Sequence, residues 1–187
     1  KQLDYWNDPW IPESTYPFLI DFPVGLTNQA PVSVFRTGEP EFEWTDQDFE
    51  RPAQENLVIY ELLVRDFSED RTFQFIIDTL DYLASLNITA LELMPVNEFN
   101  GNDSWGYNPS FYFAVDKACG TKAKLQELVN ACHERGIAVI LDMVMNHSAW
   151  PNPQILMWWN GGAPAADNPF FNTTPPPNSF NFFFDYD

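Results

Sequence analysis

The sequence predicts an α/β fold in which buried parallel strands alternate with helices that bury one face. Three nearly continuous apolar runs, at residues 57–64, 88–96 and 137–144, are typical of strands buried on both sides of a sheet. The two segments between these runs repeat apolar residues at helical spacing. Because crossover connections within one sheet are right-handed, the strand-helix-strand-helix-strand order predicts three parallel strands.

The first helical segment carries its apolar residues on a single stripe, and Asn87 follows it as a stop signal. The residues of this stripe are Phe73, Ile76, Ile77, Leu80, Leu83 and Ala84. The second helical segment has an apolar stripe made of Leu125, Leu128, Val129 and Cys132. Thr121 precedes it as a predicted N-cap, and Gly136 follows it as a predicted C-terminal stop.

Proline divides the chain into three predicted parts. Of the 16 prolines, seven lie in residues 1–52 and seven in residues 151–187, so the regular fold is confined to the middle. We predict that residues 1–52 are a leader, a linker or the tail of an upstream β domain. Residues 53–149 are predicted to form three βα units, and residues 150–187 to begin a loop-rich insertion after the third strand.

Charge and composition exclude several classes of protein. The 187-residue chain has a formal net charge of −18, which argues against nucleic-acid binding and against attraction to an anionic membrane surface. No apolar run approaches the roughly 18 residues of a membrane helix. With 45% apolar residues, the chain is expected to be a soluble domain with a packed core. Cys119 and Cys132 cannot form a disulfide framework, and Cys132 is predicted to be a buried thiol.

Two architectures share the predicted order of elements: an open doubly wound sheet and a (β/α)8 barrel. No glycine-rich phosphate-binding motif follows any of the strands, so the open sheet has no support from a motif. Glu61, Glu92 and Asp142 lie near the carboxyl ends of the strands, where the active sites of barrels are found. Pairing with basic neighbours is the alternative role for each of the three, and it is favoured more for Glu61 and Glu92 than for Asp142.

We therefore predict an α/β fold that is the N-terminal portion of a (β/α)8 TIM barrel, preceded by an extended segment. A complete barrel needs about 250 residues, and three strands leave an open apolar edge. We expect the chain to be the front part of a longer protein, or a partner chain to supply the rest of the barrel.

The first candidate functional segment follows the third strand. Asp142, Asn146 and His147 are placed at the carboxyl end of the sheet. Because side chains alternate along a strand, Asp142 and Asn146 are predicted to lie on one side, where a carboxylate and an amide oxygen converge. His133, the other histidine of the chain, is predicted to be a surface or cap residue of the second helix.

The second candidate segment is the loop at residues 102–109, which contains Trp105 and Tyr107 among Asn, Gly and Pro. These aromatic residues have no core periodicity to satisfy. Their flat apolar faces and polar edges suit the C–H face and the hydroxyls of a sugar ring. Packing of the rings back onto the loop is the alternative, and ordinary packing is favoured for the tryptophans that follow the third strand.

Three segments carry a family resemblance. They are residues 60–67 (Tyr-Glu-Leu-Leu-Val-Arg-Asp-Phe), residues 105–109 (Trp-Gly-Tyr-Asn-Pro) and residues 142–147 (Asp-Met-Val-Met-Asn-His). In order and spacing they resemble the start of the catalytic barrel of the alpha-amylase superfamily of glycoside hydrolases and transglycosylases. The last segment resembles the first conserved region of that family, Asp-x-Val-x-Asn-His. The resemblance extends from Asn56 to about Ser148. It implies that residues 1–52 belong to an upstream, carbohydrate-binding-like β domain and its linker.

The resemblance implies roles for individual residues. Tyr107 would stack under the sugar at the cleavage subsite, in a substrate-binding loop that also contains Trp105, and His147 would hydrogen-bond the hydroxyls of that sugar. Asp142 would support the floor of the active site by pairing with an arginine. Asn146 matches a position that supplies an oxygen to a structural Ca²⁺ ion, which needs about six or more oxygen ligands.

The resemblance also implies what the chain lacks. In this family the nucleophilic Asp and the acid/base Glu come from later strands, in motifs such as Gly-Phe-Arg-x-Asp that do not occur before Asp187. Retaining hydrolysis needs two carboxylates about 5 to 5.5 Å apart. We therefore expect the full-length protein to be a retaining hydrolase of alpha-glucans such as starch or glycogen. We expect this chain alone to be inactive.

Other functions stay open. The Trp-Gly-Tyr-Asn-Pro loop resembles branching and debranching enzymes as much as amylases, and a non-catalytic carbohydrate-binding or scaffold protein can have the same fold. An unrelated α/β domain in which Asp142, Asn146 and His147 bind a metal or cap a strand is a third alternative. The family habit leaves the compartment open, with secretion or the cell surface favoured over the cytoplasm.

Overall fold

The computed structural model of the protein describes residues 2–3, 8–26, 32–35, 37–171 and 183–185. Its strands are β1 (Gln2–Leu3), β2 (Val32–Ser33), β3 (Ile59–Leu62), β4 (Ala90–Leu93), β5 (Asn97–Phe99), β6 (Pro109–Val115), β7 (Ala138–Leu141), β8 (His147–Ala149) and β9 (Phe183–Asp185). Its α-helices are α1 (Val64–Phe67), α2 (Phe73–Asp78), α3 (Leu80–Ser85), α4 (Lys122–His133) and α5 (Pro153–Leu156). No helix in these ranges has the length and apolar character needed to span a membrane.

A three-stranded parallel sheet is the centre of the fold. Its strand order is β3-β4-β7, and Ile59, Ala90 and Ala138 lie side by side in its register. Just beyond β7, the backbone N–H of Asp142 donates to the carbonyl oxygen of Leu93 at 3.0 Å. The predicted order of elements and the parallel pairing are confirmed. Each strand is shorter than its apolar run, because only four residues of each run form the ladder.

The core is formed by one face of this sheet and the helices. Its most deeply buried side chains are Leu62, Leu91, Leu93, Phe73, Ile76, Leu80, Leu83, Leu128, Cys132 and Ile137. Burial of a large apolar side chain contributes about 1.5–3 kcal/mol. Both predicted helical stripes supply residues to this core, and the prediction of a buried free thiol at Cys132 is confirmed.

The first predicted helix is interrupted, which corrects the expectation of one continuous element. Thr79 separates α2 from α3 with φ −108° and ψ 5°. Its hydroxyl donates to the carbonyl oxygens of Phe75 at 2.9 Å and Ile76 at 3.1 Å, and such bonds compete with the regular helical pattern. The buried stripe continues across the break. Asn87 ends the segment with a φ of +57°, as its predicted role as a stop requires.

Helix α4 has the predicted ends. The hydroxyl of Thr121 accepts a hydrogen bond from the backbone N–H three residues later at 3.1 Å, and Gly136 has a φ of +72°. His133 differs from the prediction of a surface or cap residue. Its Nδ1 lies 2.5 Å from Oδ2 of Asp46, and its ring stacks on Phe49 with centroids 3.9 Å apart. The segment before β3 is therefore packed against the last turn of α4.

An antiparallel hairpin, β5–β6, occupies the long connection after β4, where we predicted no strand. Register shifts on both sides of Glu98 break the two-residue alternation, so the sequence shows no strand period there. The hairpin loop, residues 100–108, is closed by two hydrogen bonds. The N–H of Asn100 donates to the carbonyl oxygen of Asn108 at 3.2 Å, and Nδ2 of Asn108 donates back to the carbonyl oxygen of Asn100 at 2.9 Å.

Gly106 lets this loop lie directly against the chain that follows β4. Its φ is +88°, and a Cβ at this position would lie 2.3 Å from the carbonyl oxygen of Pro95. Gly101, in the same loop, has a similar φ of +87°, but a Cβ there would meet nothing within 4 Å. Both positions need the left-handed backbone that glycine adopts most easily. Of the two, only Gly106 also needs the absence of a side chain.

A buried cluster of charges joins the base of the hairpin to the N-terminal segment. The ammonium group of Lys117, which is 1% exposed, pairs with the carboxylates of Glu98 and of Asp8, the latter at 3.4 Å. The adjacent carboxylate of Asp116 accepts hydrogen bonds from two backbone N–H groups, at 2.8 and 3.3 Å. The cluster therefore contains three buried carboxyl groups and one cation.

Burial raises the pKa of two carboxyl groups in this cluster. For Glu98, burial and then the charge of Asp116 raise the pKa to about 8, against the opposing effect of Lys117. For Asp116, burial raises the pKa to about 7, again opposed by Lys117. The neighbouring thiol of Cys119 also has a raised pKa, because of burial and the two carboxylates. The folded protein therefore binds protons that the unfolded chain releases.

The free energy of unfolding is expected to fall as the pH rises from about 5 to about 8. The raised pKa values stabilise the fold fully below the ordinary values, 4.5 for Glu98 and 3.8 for Asp116, and this contribution is lost as the pH reaches about 8 and about 7. Each retained proton contributes a slope of up to about 1.4 kcal/mol per pH unit. Glu98→Gln should reduce the slope, as measured by urea unfolding at each pH.

Glu127→Gln is the matched control for this experiment. Glu127 is partly exposed and pairs with Lys124, and both residues lie on the surface of α4. Its substitution should therefore leave the pH slope unchanged. A Glu98→Gln variant with the full wild-type slope would show that Glu98 does not hold the proton.

Gly106→Ala is expected to destabilise the fold more than Gly101→Ala. Both substitutions place a side chain on a left-handed backbone, at a cost of about 1–2 kcal/mol. Gly106→Ala adds the overlap with the carbonyl of Pro95, for which we expect about 1–3 kcal/mol more. Thermal unfolding of the two variants measures the difference, and equal losses of stability would contradict the close packing of the loop.

Candidate functional site

Three residues that the sequence predicts as functional meet beyond the carboxyl end of the sheet. The hydroxyl of Tyr107 donates to Oδ2 of Asp142 at 2.5 Å. Nε2 of His147 lies 2.8 Å from the backbone carbonyl oxygen of Tyr107. Because a carbonyl oxygen only accepts hydrogen bonds, Nε2 carries a proton in this arrangement. We call this hydrogen-bonded group of Tyr107, Asp142 and His147 the mouth cluster.

Each member of the mouth cluster comes from a different segment. Asp142 directly follows β7 and is held beside β4 by its backbone hydrogen bond. Tyr107 comes from the hairpin loop, which Gly106 keeps against Pro95. His147 is the first residue of β8. The parallel sheet and the hairpin therefore bring together residues that are 35 and 40 positions apart in the chain.

Carboxylates surround the hydroxyl of Tyr107. The hydrogen bond to Asp142 is the largest cause that raises the pKa of Tyr107 to about 12, and burial and the negative charges of Asp142, Glu61 and Glu92 add to it. Glu61 and Glu92 are paired in register on β3 and β4, so they lie side by side on one face of the sheet. Tyr107 therefore keeps its proton at neutral pH and acts as a hydrogen-bond donor.

The two aromatic residues of the loop are accessible. Trp105 is 59% exposed, and Tyr107 is 38% exposed. The hydroxyl of Tyr107 is thus fixed by Asp142, while the side chain stays partly exposed. This arrangement suits stacking against an apolar sugar face. Asp142 accepts the hydrogen bond from Tyr107, so it is placed to orient the ring of Tyr107.

The tryptophans that follow β7 pack against other aromatic residues, as predicted. Trp150 and Trp159 have ring centroids 5.0 Å apart, and Trp158 lies edge-on to Phe170 at 5.6 Å. All three tryptophans are half-buried. They support the segment after β7, in contrast to the exposed Trp105.

The structure does not support the alternation from which the convergence of Asp142 and Asn146 was predicted. Strand β7 ends at Leu141, so side chains do not alternate regularly beyond it. Val144 is buried, whereas Asn146 is exposed. Within the described ranges, no three His, Cys, Asp or Glu side chains are grouped so that they could hold a metal ion. The assignment of Asn146 as a Ca²⁺ ligand stays a prediction.

Residues outside the hairpin loop also hold it in place, and they were not predicted from the sequence. Asp103, in the loop, pairs with the guanidinium groups of Arg65 at 3.3 Å and Arg71 at 3.6 Å. Arg65 also makes a two-point contact with Asp66, at 2.6 and 2.9 Å. These residues come from the connection after β3, and no sequence period links them to the loop. Three further buried or half-buried polar residues that the sequence did not single out are Tyr112, Ser148 and Asn152.

Comparison with known proteins identifies the family. The model of the alpha-amylase catalytic domain matches residues 49–179. A malto-oligosyltrehalose trehalohydrolase of Saccharolobus solfataricus is 43% identical over 108 residues, which are 58% of this chain and 19% of that protein. The alpha-amylase MalA of Haloarcula japonica is 40% identical over 109 residues, which are 56% of this chain and 16% of that protein.

A solved alpha-amylase structure from Lactobacillus plantarum has the same local fold. It superposes with a TM-score of 0.60 at 25% identity, over 71% of this chain and 31% of that one. The chain spans about a fifth of the length of the curated relatives that it matches. The three parallel strands with their helices thus correspond to part of a TIM barrel. Because the family model matches more than half of its residues, the chain belongs to the alpha-amylase family of glycoside hydrolase catalytic domains.

Proposed function

We propose that the chain is part of a retaining glycoside hydrolase that acts on alpha-glucans. The mouth cluster is the observation that carries this proposal. Tyr107 offers an accessible ring that is fixed at its hydroxyl, and the imidazole of His147 is held beside the same loop. An aromatic face next to polar side chains is what recognition of a sugar requires.

The residues of the site have separate roles in this proposal. Tyr107 stacks under the sugar at the cleavage subsite, and Trp105 adds a second exposed aromatic face. His147 binds hydroxyls of the same sugar. Asp142 fixes the ring of Tyr107 through its hydrogen bond and pairs with an arginine from another part of the barrel.

The net charge of the chain is compatible with this class of substrate. A neutral polysaccharide needs no steering field, so a charge of −18 neither attracts nor repels it. The carboxylates of Glu61, Glu92 and Asp142 near Tyr107 add hydrogen-bond acceptors for sugar hydroxyls.

The acid pair of the reaction is proposed to come from other parts of the full-length protein. Retention needs a nucleophilic carboxylate and an acid/base carboxylate about 5 to 5.5 Å apart, with substrate between them. Asp142 is hydrogen-bonded to Tyr107, and the motifs that carry the acid pair in this family do not occur in the chain. We therefore expect the isolated chain to be inactive.

Malto-oligosyltrehalose is the favoured substrate within this class. Seven curated relatives that carry this substrate in their names are 34–43% identical to the chain. Maltooligosaccharides are the second candidate, because an alpha-amylase is 40% identical. The two candidates predict different products, since trehalose is released only from the first.

Incubation of the full-length protein with malto-oligosyltrehalose and with maltoheptaose tests the proposal. We expect cleavage with release of trehalose from the first substrate, and NMR of the earliest products should show the α-anomer at the new reducing end. An initial β-anomer would contradict retention. Transfer of chains without new reducing ends would identify a branching enzyme instead. Binding of both sugars without any reaction would support the non-catalytic alternative.

Tyr107→Ala in the full-length protein is expected to weaken binding of maltoheptaose about tenfold, because an aromatic contact of this kind contributes about 1.4 kcal/mol. Tyr107→Phe keeps the ring and loses the bond to Asp142, so its loss should be smaller. Isothermal titration calorimetry measures both. Tyr82→Ala is the control, because Tyr82 is a 58% exposed tyrosine on α3. An unchanged affinity of Tyr107→Ala would rule out stacking.

A further inference from the structure

The mouth cluster depends on the relative position of two strands. Tyr107 lies two residues before β6, and His147 is the first residue of β8. Their mutual contact is a single hydrogen bond, from Nε2 of His147 to the carbonyl oxygen of Tyr107 at 2.8 Å. Both residues lie in or next to loops, so one hydrogen bond between them does not by itself fix the distance between the two side chains.

Two hydroxyl groups connect these strands in opposite directions. Ser148, on β8, donates its hydroxyl proton to the carbonyl oxygen of Pro109, on β6, at 2.9 Å. Tyr112, on β6, donates its hydroxyl proton to the carbonyl oxygen of His147, on β8. Each strand therefore supplies one hydroxyl and one carbonyl. We call this pair of hydrogen bonds the hydroxyl clasp.

The direction of the serine bond is set by Asn152. Nδ2 of Asn152 donates to Oγ of Ser148 at 2.7 Å, so the serine oxygen accepts there and must donate its own proton elsewhere. The carbonyl oxygen of Pro109 at 2.9 Å is nearer than that of Ala149 at 3.5 Å. Oδ1 of Asn152 is engaged with two N–H groups at the start of α5 and cannot rotate freely. Ser148 and Asn152 are 0% and 1% exposed, so water does not compete for these bonds.

We propose that Ser148 and Tyr112 are positioning residues of the glycosidase site, which act through the hydroxyl clasp to set the distance between the Tyr107 ring and the His147 imidazole. The clasp carbonyls belong to His147 itself and to Pro109, two residues after Tyr107. This inference rests on the proposed function for its kinetic consequence, but the geometry of the clasp is independent of which glucan is cleaved. Both hydroxyls donate to backbone carbonyl oxygens, so we assign them a positioning role.

The kinetic test uses Ser148→Ala and Tyr112→Phe in the full-length enzyme, with its preferred substrate from the assay above. Each variant removes one clasp hydroxyl and keeps the rest of the side chain or its Cβ. Displacement of substrate-binding groups by about 1 Å costs up to about 100-fold, and we expect kcat/KM to fall at least about tenfold in each variant. Tyr112→Phe is the safer variant for folding, because it keeps the aromatic ring.

Thr121→Ala is the matched control. It removes a hydroxyl that makes one hydrogen bond, at the start of α4. Its melting temperature should fall, with kcat/KM at the wild-type value. If the clasp variants lose stability like the control and keep the wild-type kcat/KM, the two hydroxyls are structural and the proposal is wrong.

A double-variant comparison separates positioning from general damage. If Ser148 acts through Tyr107 and His147, then Ser148→Ala should reduce kcat/KM much less in a Tyr107→Ala background than in the wild type. Equal, additive losses in the two backgrounds would contradict action through the mouth cluster.

A readout without substrate keeps this inference apart from the proposed function. The ring resonances of His147 in the full-length protein, assigned by their loss in His147→Gln, report the hydrogen bond of Nε2. We expect these resonances to shift in Ser148→Ala and Tyr112→Phe and to stay in place in Thr121→Ala. Unshifted resonances overturn the clasp. Shifted resonances in a protein that cleaves no glucan would leave the clasp standing and refute the proposed function.

Discussion

The parallel register of β3, β4 and β7 determines where the functional side chains lie. Pairing in this register brings the carboxyl ends of all three strands to one edge, and it places Glu61 beside Glu92. Asp142 continues β7 by one residue and is held by a backbone bond to β4. The helices cover one face of the sheet with apolar side chains. Polar and charged groups therefore lie on the exposed face and at the carboxyl ends of the strands.

The hairpin after β4 contains the aromatic residues of the site. Contacts at three positions hold it in place. At its base, Lys117 lies in a buried cluster with Glu98. In its loop, Gly106 lies against the carbonyl of Pro95. Asp103, in the same loop, pairs with two arginines. A loop with this many contacts presents its aromatic rings in a defined place, which lowers the entropy lost when a ligand binds. The mouth cluster is therefore a preorganised surface.

Protons are retained in both acidic regions of the molecule, but for different reasons. Near Tyr107, the carboxylates hold a phenol proton in place, so the site acts as a donor and acceptor surface at neutral pH. Around Lys117, the carboxyl groups are buried and exceed the available positive charge, so protons are retained there. The first arrangement fixes a hydrogen-bond donor at the proposed sugar site, whereas the second links the fold to the pH of its surroundings.

Much of this fold was predictable from local patterns. The three strands, the buried stripes, and the caps at Thr121 and Gly136 follow from side-chain periodicity and backbone preference, which act over a few residues. The break at Thr79 depends on which carbonyls its hydroxyl reaches, and the hairpin has register shifts that remove the period of a strand. Lys117 was not predicted as buried, because its partners Glu98 and Asp8 are distant in the sequence.

The residues of the site were predictable, but the hydrogen bonds between them were not. Tyr107, Asp142 and His147 stand in motifs, so their types and order indicated a sugar site. Their mutual hydrogen bonds, and the clasp behind them, join residues about 35 to 40 positions apart and leave no local signal. Asn146 was placed by extending strand alternation beyond Leu141, where the strand has already ended.

A crystal structure of the full-length protein with a bound, uncleaved maltooligosaccharide tests the sugar-binding role of the mouth cluster most directly. We expect one glucose ring stacked on Tyr107, with a hydroxyl of that ring at hydrogen-bond distance from His147 and with the Tyr107 to Asp142 bond intact. A sugar bound in the barrel without contact to Tyr107 and His147, or a Tyr107 ring covered by another part of the protein, would contradict it.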